Sequence, residues 1–104
     1  MLTEELIRAK RDGRPLPLDE LRAFVAGVTD GSVSDAQVGA FAMAVFFRGM
    51  SRDETVTLTL AMRDSGRVMT WGTDELPGPP LDKHSTGGVG DKVSLMLAPI
   101  VAAC

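Results

Sequence analysis

The chain has 104 residues, 44% hydrophobic and 24% charged, with a formal net charge of −3. That balance belongs to one small folded domain and excludes a disordered chain or two domains of ordinary size. The mild acidity leaves nothing to draw nucleic acid or an anionic membrane.

Residues 1–12 are too charged to form the apolar core of a signal peptide, and no apolar run is long enough to span a bilayer. The single cysteine, Cys104, excludes an internal disulfide. A soluble, cytoplasmic protein is expected, with no nucleic-acid or membrane partner.

The first helix is expected to open near Thr3, with Leu2, Leu6 and Ile7 on one side. Lys10 and Arg11 fall in its last turn, where cations suit the helix dipole, and Gly13 can take a left-handed cap. Lys10, Arg11 and Arg14 form the chain's basic cluster, read as a solvated helix end. Pro15 and Pro17 precede a second helix, whose apolar stripe is Leu18, Leu21, Phe24, Val25 and Val28, ended by Asp30-Gly31.

A capping box, Ser34-Asp35-Ala36-Gln37, predicts a third helix with Val38, Phe41, Ala42, Val45 and Phe46 on its inner face, closed by Gly49. Ser51-Arg52-Asp53-Glu54 predicts a fourth, running through Leu58, Ala61 and Met62 to about Gly66. Residues 1–66 are thus expected to be a bundle of four helices joined by short turns.

The pattern changes after Gly66. Residues 68–71, Val-Met-Thr-Trp, are β-prone, whereas Pro77-Gly78-Pro79-Pro80 can be neither helix nor central strand. Residues 67–81 read as a linker with room for one short strand. Residues 82–91 form a polar loop with glycines at 87, 88 and 90, leading into an apolar helix that bends or restarts at Pro99. Strand, glycine-rich loop and helix together predict that residues 82–104 begin an α/β domain.

The final ten residues carry no charge and no helix-ending signal. An element apolar all round must be buried, so the sequence is expected to be a piece of a longer fold. The alternative is a small all-helical protein whose tail docks on its own bundle.

The loop holds the chemistry. Glycines let the backbone approach a ligand and turn its N–H groups inward, and a following helix adds the positive end of its dipole. Lys83 supplies a full charge, while the Ser85, Thr86 and Ser94 hydroxyls can donate hydrogen bonds. These are the parts of an oxyanion pocket, most naturally one for phosphate. His84 stands beside it as a candidate proton donor.

Two nucleotide motifs fail on spacing. A P-loop needs Gly-Lys-Ser/Thr, but Asp91 follows Gly90 and Val93 follows Lys92. A dinucleotide fingerprint aligned on Gly88 and Gly90 would need a small residue where Val93 stands. Taken singly, the glycines could be structural, His84 an ordinary histidine, and Lys92 a solvated charge.

The string Lys83-His84-Ser85-Thr86-Gly87-Gly88-Val89-Gly90-Asp91 resembles the signature loop of the thymidine and pyrimidine-nucleoside phosphorylases. So do residues 7–13 (Ile-Arg-Ala-Lys-Arg-Asp-Gly), 41–44 (Phe-Ala-Met-Ala) and 61–66 (Ala-Met-Arg-Asp-Ser-Gly), with Asp30-Gly31. Residues 94–104 are similar to the thymidine-preferring bacterial members. The resemblance runs through all 104 residues and covers the first quarter or so of a family member.

The resemblance implies a helical domain, a larger α/β domain, and an active site in the cleft between them. It implies phosphorolysis of thymidine to thymine and 2-deoxyribose 1-phosphate by a homodimer that contacts through the helical domain. By position, Lys83, Ser85, Thr86, Gly88 and Ser94 would bind phosphate as co-substrate, and His84 would face the pyrimidine. No organic cofactor is implied, although some members hold a structural potassium near the position of Gly90.

The family's pyrimidine-clamping arginine, serine and lysine match no residue here, so this polypeptide alone is expected to be inactive. Three alternatives remain: a broader pyrimidine-nucleoside phosphorylase, a non-catalytic fragment that dimerises or binds phosphate, and a more distant phosphoribosyltransferase for anthranilate. Lys83-His84-Ser85-Thr86 argues against the last.

Overall fold

A computed structural model describes residues 1–72, 74–84 and 92–104. It contains five helices among the described residues: α1 (Thr3–Arg11), α2 (Leu18–Asp30), α3 (Asp35–Arg48), α4 (Arg52–Asp64) and α5 (Val93–Ala103). The chain divides into two compact units, Met1–Val68 and Met69–Cys104.

In the first unit each helix starts and stops for a local reason. The Glu5 carboxylate accepts the Leu2 N–H at 3.0 Å at the start of α1. Gly13 and Gly31 follow α1 and α2 with φ of 76° and 83°, a left-handed conformation that costs glycine nothing. Both predicted capping boxes form. Ser34 Oγ accepts from Gln37 N at 3.3 Å, and Ser51 Oγ accepts from Glu54 N at 3.2 Å.

Helix α1 packs on α3 and α2 on α4. Leu6, Ala9, Leu16, Leu21, Phe24, Val33 and Phe41 form the buried core, with Ile7, Leu18, Val38, Val45, Met50 and Leu58 packed around it. The Phe24 and Phe41 rings lie 4.5 Å apart between centroids, tilted by 37°. That spacing sits at the close end of favourable aromatic pairs. Residue 27 is glycine because a Cβ there would stand 2.6 Å from Val33 Cγ2.

Several inner-face assignments need correction. Leu2, Val28, Ala42, Phe46 and Met62 are exposed, whereas Ala44 is buried. The stripe on α3 turns on Phe41, Ala44 and Val45, so Phe46, 76% exposed, points the other way. Lys10 is no solvated helix end: it is 5% exposed, with its ammonium 2.7 Å from Glu54 Oε2 and 3.0 Å from the Gly49 carbonyl.

Residues 68–71 form no strand, and no strand occurs among the described residues. An extended segment without a ladder partner leaves its backbone groups unpaired, which is why a strand is not stable singly. Of the strand, loop and helix expected there, the strand does not form, the glycine-rich loop lies outside the described residues, and the helix is present. That helix, α5, runs unbroken through Pro99 instead of restarting there, and buries none of its residues.

Candidate functional site

The candidate residues belong to the second unit and flank a glycine-rich stretch. Ser85, Thr86, Gly88 and Gly90, four of the positions singled out by sequence, lie outside the described residues. Lys83, His84 and Ser94 are described.

Lys83 is exposed just after the proline-rich stretch, where the Asp82 carboxylate accepts its backbone N–H at 2.9 Å. Ser94 is half-buried in the first turn of α5. Eleven residues separate them, yet the Lys83 ammonium donates a hydrogen bond to Ser94 Oγ. The two ends of the loop are thus drawn together, with a primary ammonium and a hydroxyl meeting at the amino-terminal turn of a helix. An ammonium, a hydroxyl and the positive dipole end of a helix all favour the same guest, a compact oxyanion. His84 is exposed and next in sequence to Lys83.

The proline-rich stretch, read from sequence only as a linker, forms one wall of a cleft of about 630 Å³. Leu76, Pro79 and Leu81 line one side, Leu97 and Val101 of α5 the other, and Lys83 is among the lining residues. The cleft is mostly apolar with a cation in its lining, the character of a small-molecule pocket. Leu76 and Leu81 on either side of the prolines were the signal for it, since a pure spacer has no need of apolar side chains there.

Among the described residues, no cluster of three or more His, Cys, Asp or Glu side chains could hold a metal ion. No described helix is long and apolar enough to cross a membrane. The first unit has its own groove of about 660 Å³ between α2 and α4, floored by Val25, Ala26, Leu60 and Ala61. It contains none of the candidate residues.

Residues 4–66, the helical unit, match the helical bundle domain of a glycosyl transferase family. The chain belongs to that family. Its relatives among the glycosyl transferases include thymidine phosphorylases of high identity. That of Mesorhizobium japonicum is 68% identical over 104 residues, which is 100% of this chain and 23% of the relative. That of Rhizobium meliloti is 66% identical, again over 100% of this chain and 23% of the relative. That of Burkholderia cenocepacia (strain HI2424) is 65% identical over 99% of this chain and 24% of its own length. The chain therefore spans about a quarter of the curated relatives it matches, and within this glycosyl transferase family it carries the helical bundle and the segment after it.

Proposed function

We propose that this chain supplies the helical domain and the phosphate-binding loop of a cytoplasmic thymidine phosphorylase. The enzyme would convert thymidine and inorganic phosphate to thymine and 2-deoxyribose 1-phosphate. The observation that carries the reading is the hydrogen bond from the Lys83 ammonium to Ser94 Oγ across the glycine-rich loop. High identity to proteins named thymidine phosphorylase supports it.

Phosphate is a weak nucleophile, so positioning and charge placement carry much of the catalysis. Lys83 and Ser94, with Ser85, Thr86 and backbone N–H groups near Gly88, hold the phosphate. One phosphate oxygen attacks C1′ of the sugar, and the C1′–N1 bond breaks with its electron pair leaving on the pyrimidine. The imidazolium of His84 stabilises that charge at a pyrimidine carbonyl oxygen and gives it a proton. A potassium ion near Gly90 would have a structural role, and no step of the reaction passes through it. The active protein is a homodimer that contacts through the helical unit.

A chimera tests the reading. Residues 1–104 replace the matching part of the Mesorhizobium relative, and thymine release from thymidine is followed as a function of phosphate. Activity is expected, and Lys83→Ala should raise the KM for phosphate by about 10–100-fold, the loss of one or more charge-assisted hydrogen bonds. A folded chimera without phosphorolysis, or one whose phosphate dependence ignores Lys83→Ala, overturns it.

A further inference from the structure

Where the carboxyl ends of α1 and α3 meet the start of α4, the first unit has a pocket of about 390 Å³. Lys10, Gly13, Arg14, Arg48, Gly49 and Glu54 are in its lining, all of them in the first unit. Three cations thus face one carboxylate, in a chain whose net charge is −3.

The carboxylate is already spent. Glu54 Oε1 accepts the Leu16 N–H at 2.8 Å, and Oε2 accepts the Lys10 ammonium at 2.7 Å and the Ser51 N–H at 3.0 Å. The ammonium is not. It has three N–H donors, of which one goes to Glu54 and one to the Gly49 carbonyl at 3.0 Å. The third has no acceptor among the described residues, although Lys10 is only 5% exposed. A buried donor calls for a partner, and the pocket that Lys10 lines is where one fits.

Two guanidinium groups complete the set. Arg48 Nε donates to the Arg11 carbonyl at 2.7 Å, which orients the group and uses one of its five donors. Arg14 Nη2 stands 3.8 Å from Asp12 Oδ2, beyond hydrogen-bond distance. Asp12 is engaged by Arg11 instead, whose Nε and Nη2 donate to it at 2.8 and 3.3 Å. Arg14 and Arg48 are both exposed, so their other donors are open to a guest from solvent. A guanidinium fork matches two oxygens of a phosphate.

We propose that this pocket is a second oxyanion site, taking a phosphate group, free or as a monoester, with Lys10, Arg14 and Arg48 as its donors. Water would satisfy the lysine but would neutralise neither arginine. A carboxylate brings two oxygens to three cationic groups, whereas a phosphate brings three or four. The site goes beyond the phosphate loop proposed above and shares no residue with it.

The test is a titration of the 15N-labelled 104-residue chain with inorganic phosphate at fixed pH and ionic strength, following the amide resonances of Gly13 and Gly49. Arg14→Gln, Arg48→Gln and Lys83→Ala chains are titrated alongside. Both glycine resonances are expected to shift and saturate. Each arginine substitution should weaken that binding about tenfold. Arg14 makes no hydrogen bond of its own with its side chain among the described residues, so Arg14→Gln should leave helical circular dichroism unchanged. Lys83→Ala should leave the Gly13 and Gly49 response as it is. Repeating the titration with ribose 5-phosphate separates the two sources: tighter binding than inorganic phosphate assigns the site to a monoester, and weaker binding to the free ion. Glycine resonances indifferent to phosphate, or a response that both arginine variants retain in full, overturn the site and leave water as the partner of Lys10. A response abolished by Lys83→Ala overturns it too, and assigns all phosphate binding to the loop. The phosphorolysis test reads product release and stands or falls separately.

Discussion

The Lys10 ammonium lies 2.7 Å from Glu54 Oε2, joining α1 to α4 across 44 residues of sequence inside a nearly closed site. Glu54 is also the third residue of α4 and completes its capping box by accepting the Ser51 N–H at 3.0 Å. Its other oxygen accepts the Leu16 N–H at 2.8 Å. One carboxylate therefore fixes the start of α4, the loop between α1 and α2, and the end of α1. No buried side-chain nitrogen or oxygen is left without a partner among the described residues.

Removing one partner should be costly for that reason. Lys10→Met leaves a buried carboxylate without its cation and is expected to destabilise the chain by about 3–5 kcal/mol. Urea denaturation followed by circular dichroism at 222 nm measures it. Combined with Glu54→Gln, the double variant should lose less than the two single losses together by about 1–3 kcal/mol. Strict additivity would mean that the pair is not coupled.

The same carboxylate sets an acid limb. Desolvation by burial pushes its pKa up, but hydrogen bonds from Lys10, Leu16 and Ser51 and the Lys10 charge together outweigh this, and the net shift is downward. A depressed carboxylate pKa gives stability that is present above the ordinary glutamate range and lost as pH falls through the folded value. The stability difference between the native chain and Glu54→Gln should therefore be constant near neutrality and shrink in acid. A difference that grows in acid would contradict the sign.

Two glycines in helices should respond oppositely to alanine. At Gly39 nothing stands within 4 Å of an added Cβ, and φ is not positive, so Gly39→Ala should stabilise by about 0.5–1 kcal/mol. At Gly27 the added Cβ meets Val33 Cγ2 at 2.6 Å and Ser32 Oγ at 3.0 Å. Valine is short and stiff at χ1, so Gly27→Ala should cost about 1–3 kcal/mol despite the better helix former. Thermal melts of the two variants should move in opposite directions.

Phe41 and Phe46 offer the same contrast within one helix. Phe41 is 5% exposed against Phe24, and Phe41→Ala should cost about 3–5 kcal/mol. Phe46 is 76% exposed, and Phe46→Ala should change monomer stability by less than about 0.5 kcal/mol. Denaturation at concentrations where the chain is monomeric separates the two.

The helical unit was largely legible because its signals are local. Ser34 with Gln37, Ser51 with Glu54, and the glycines at 13, 31 and 49 act on neighbours within a turn, and all five work where sequence placed them. Leu21, Phe24, Val25 and Phe41 follow from the 3.6-residue period alone. The loop's candidate residues came from composition alone; of them the structure describes Lys83, His84 and Ser94, while Ser85, Thr86, Gly88 and Gly90 lie outside the described residues.

By itself, then, the sequence determined where four helices begin and end, and which of them have an apolar stripe. Only the tertiary structure decided which side of α3 faces the core, leaving Phe46 and Phe47 outside, because a helix apolar most of the way round has no period to orient it. It also decided that Lys10 is buried. A lysine at a helix end looks solvated until a carboxylate from a distant helix comes within 3 Å, and that proximity is a property of packing, not of local sequence.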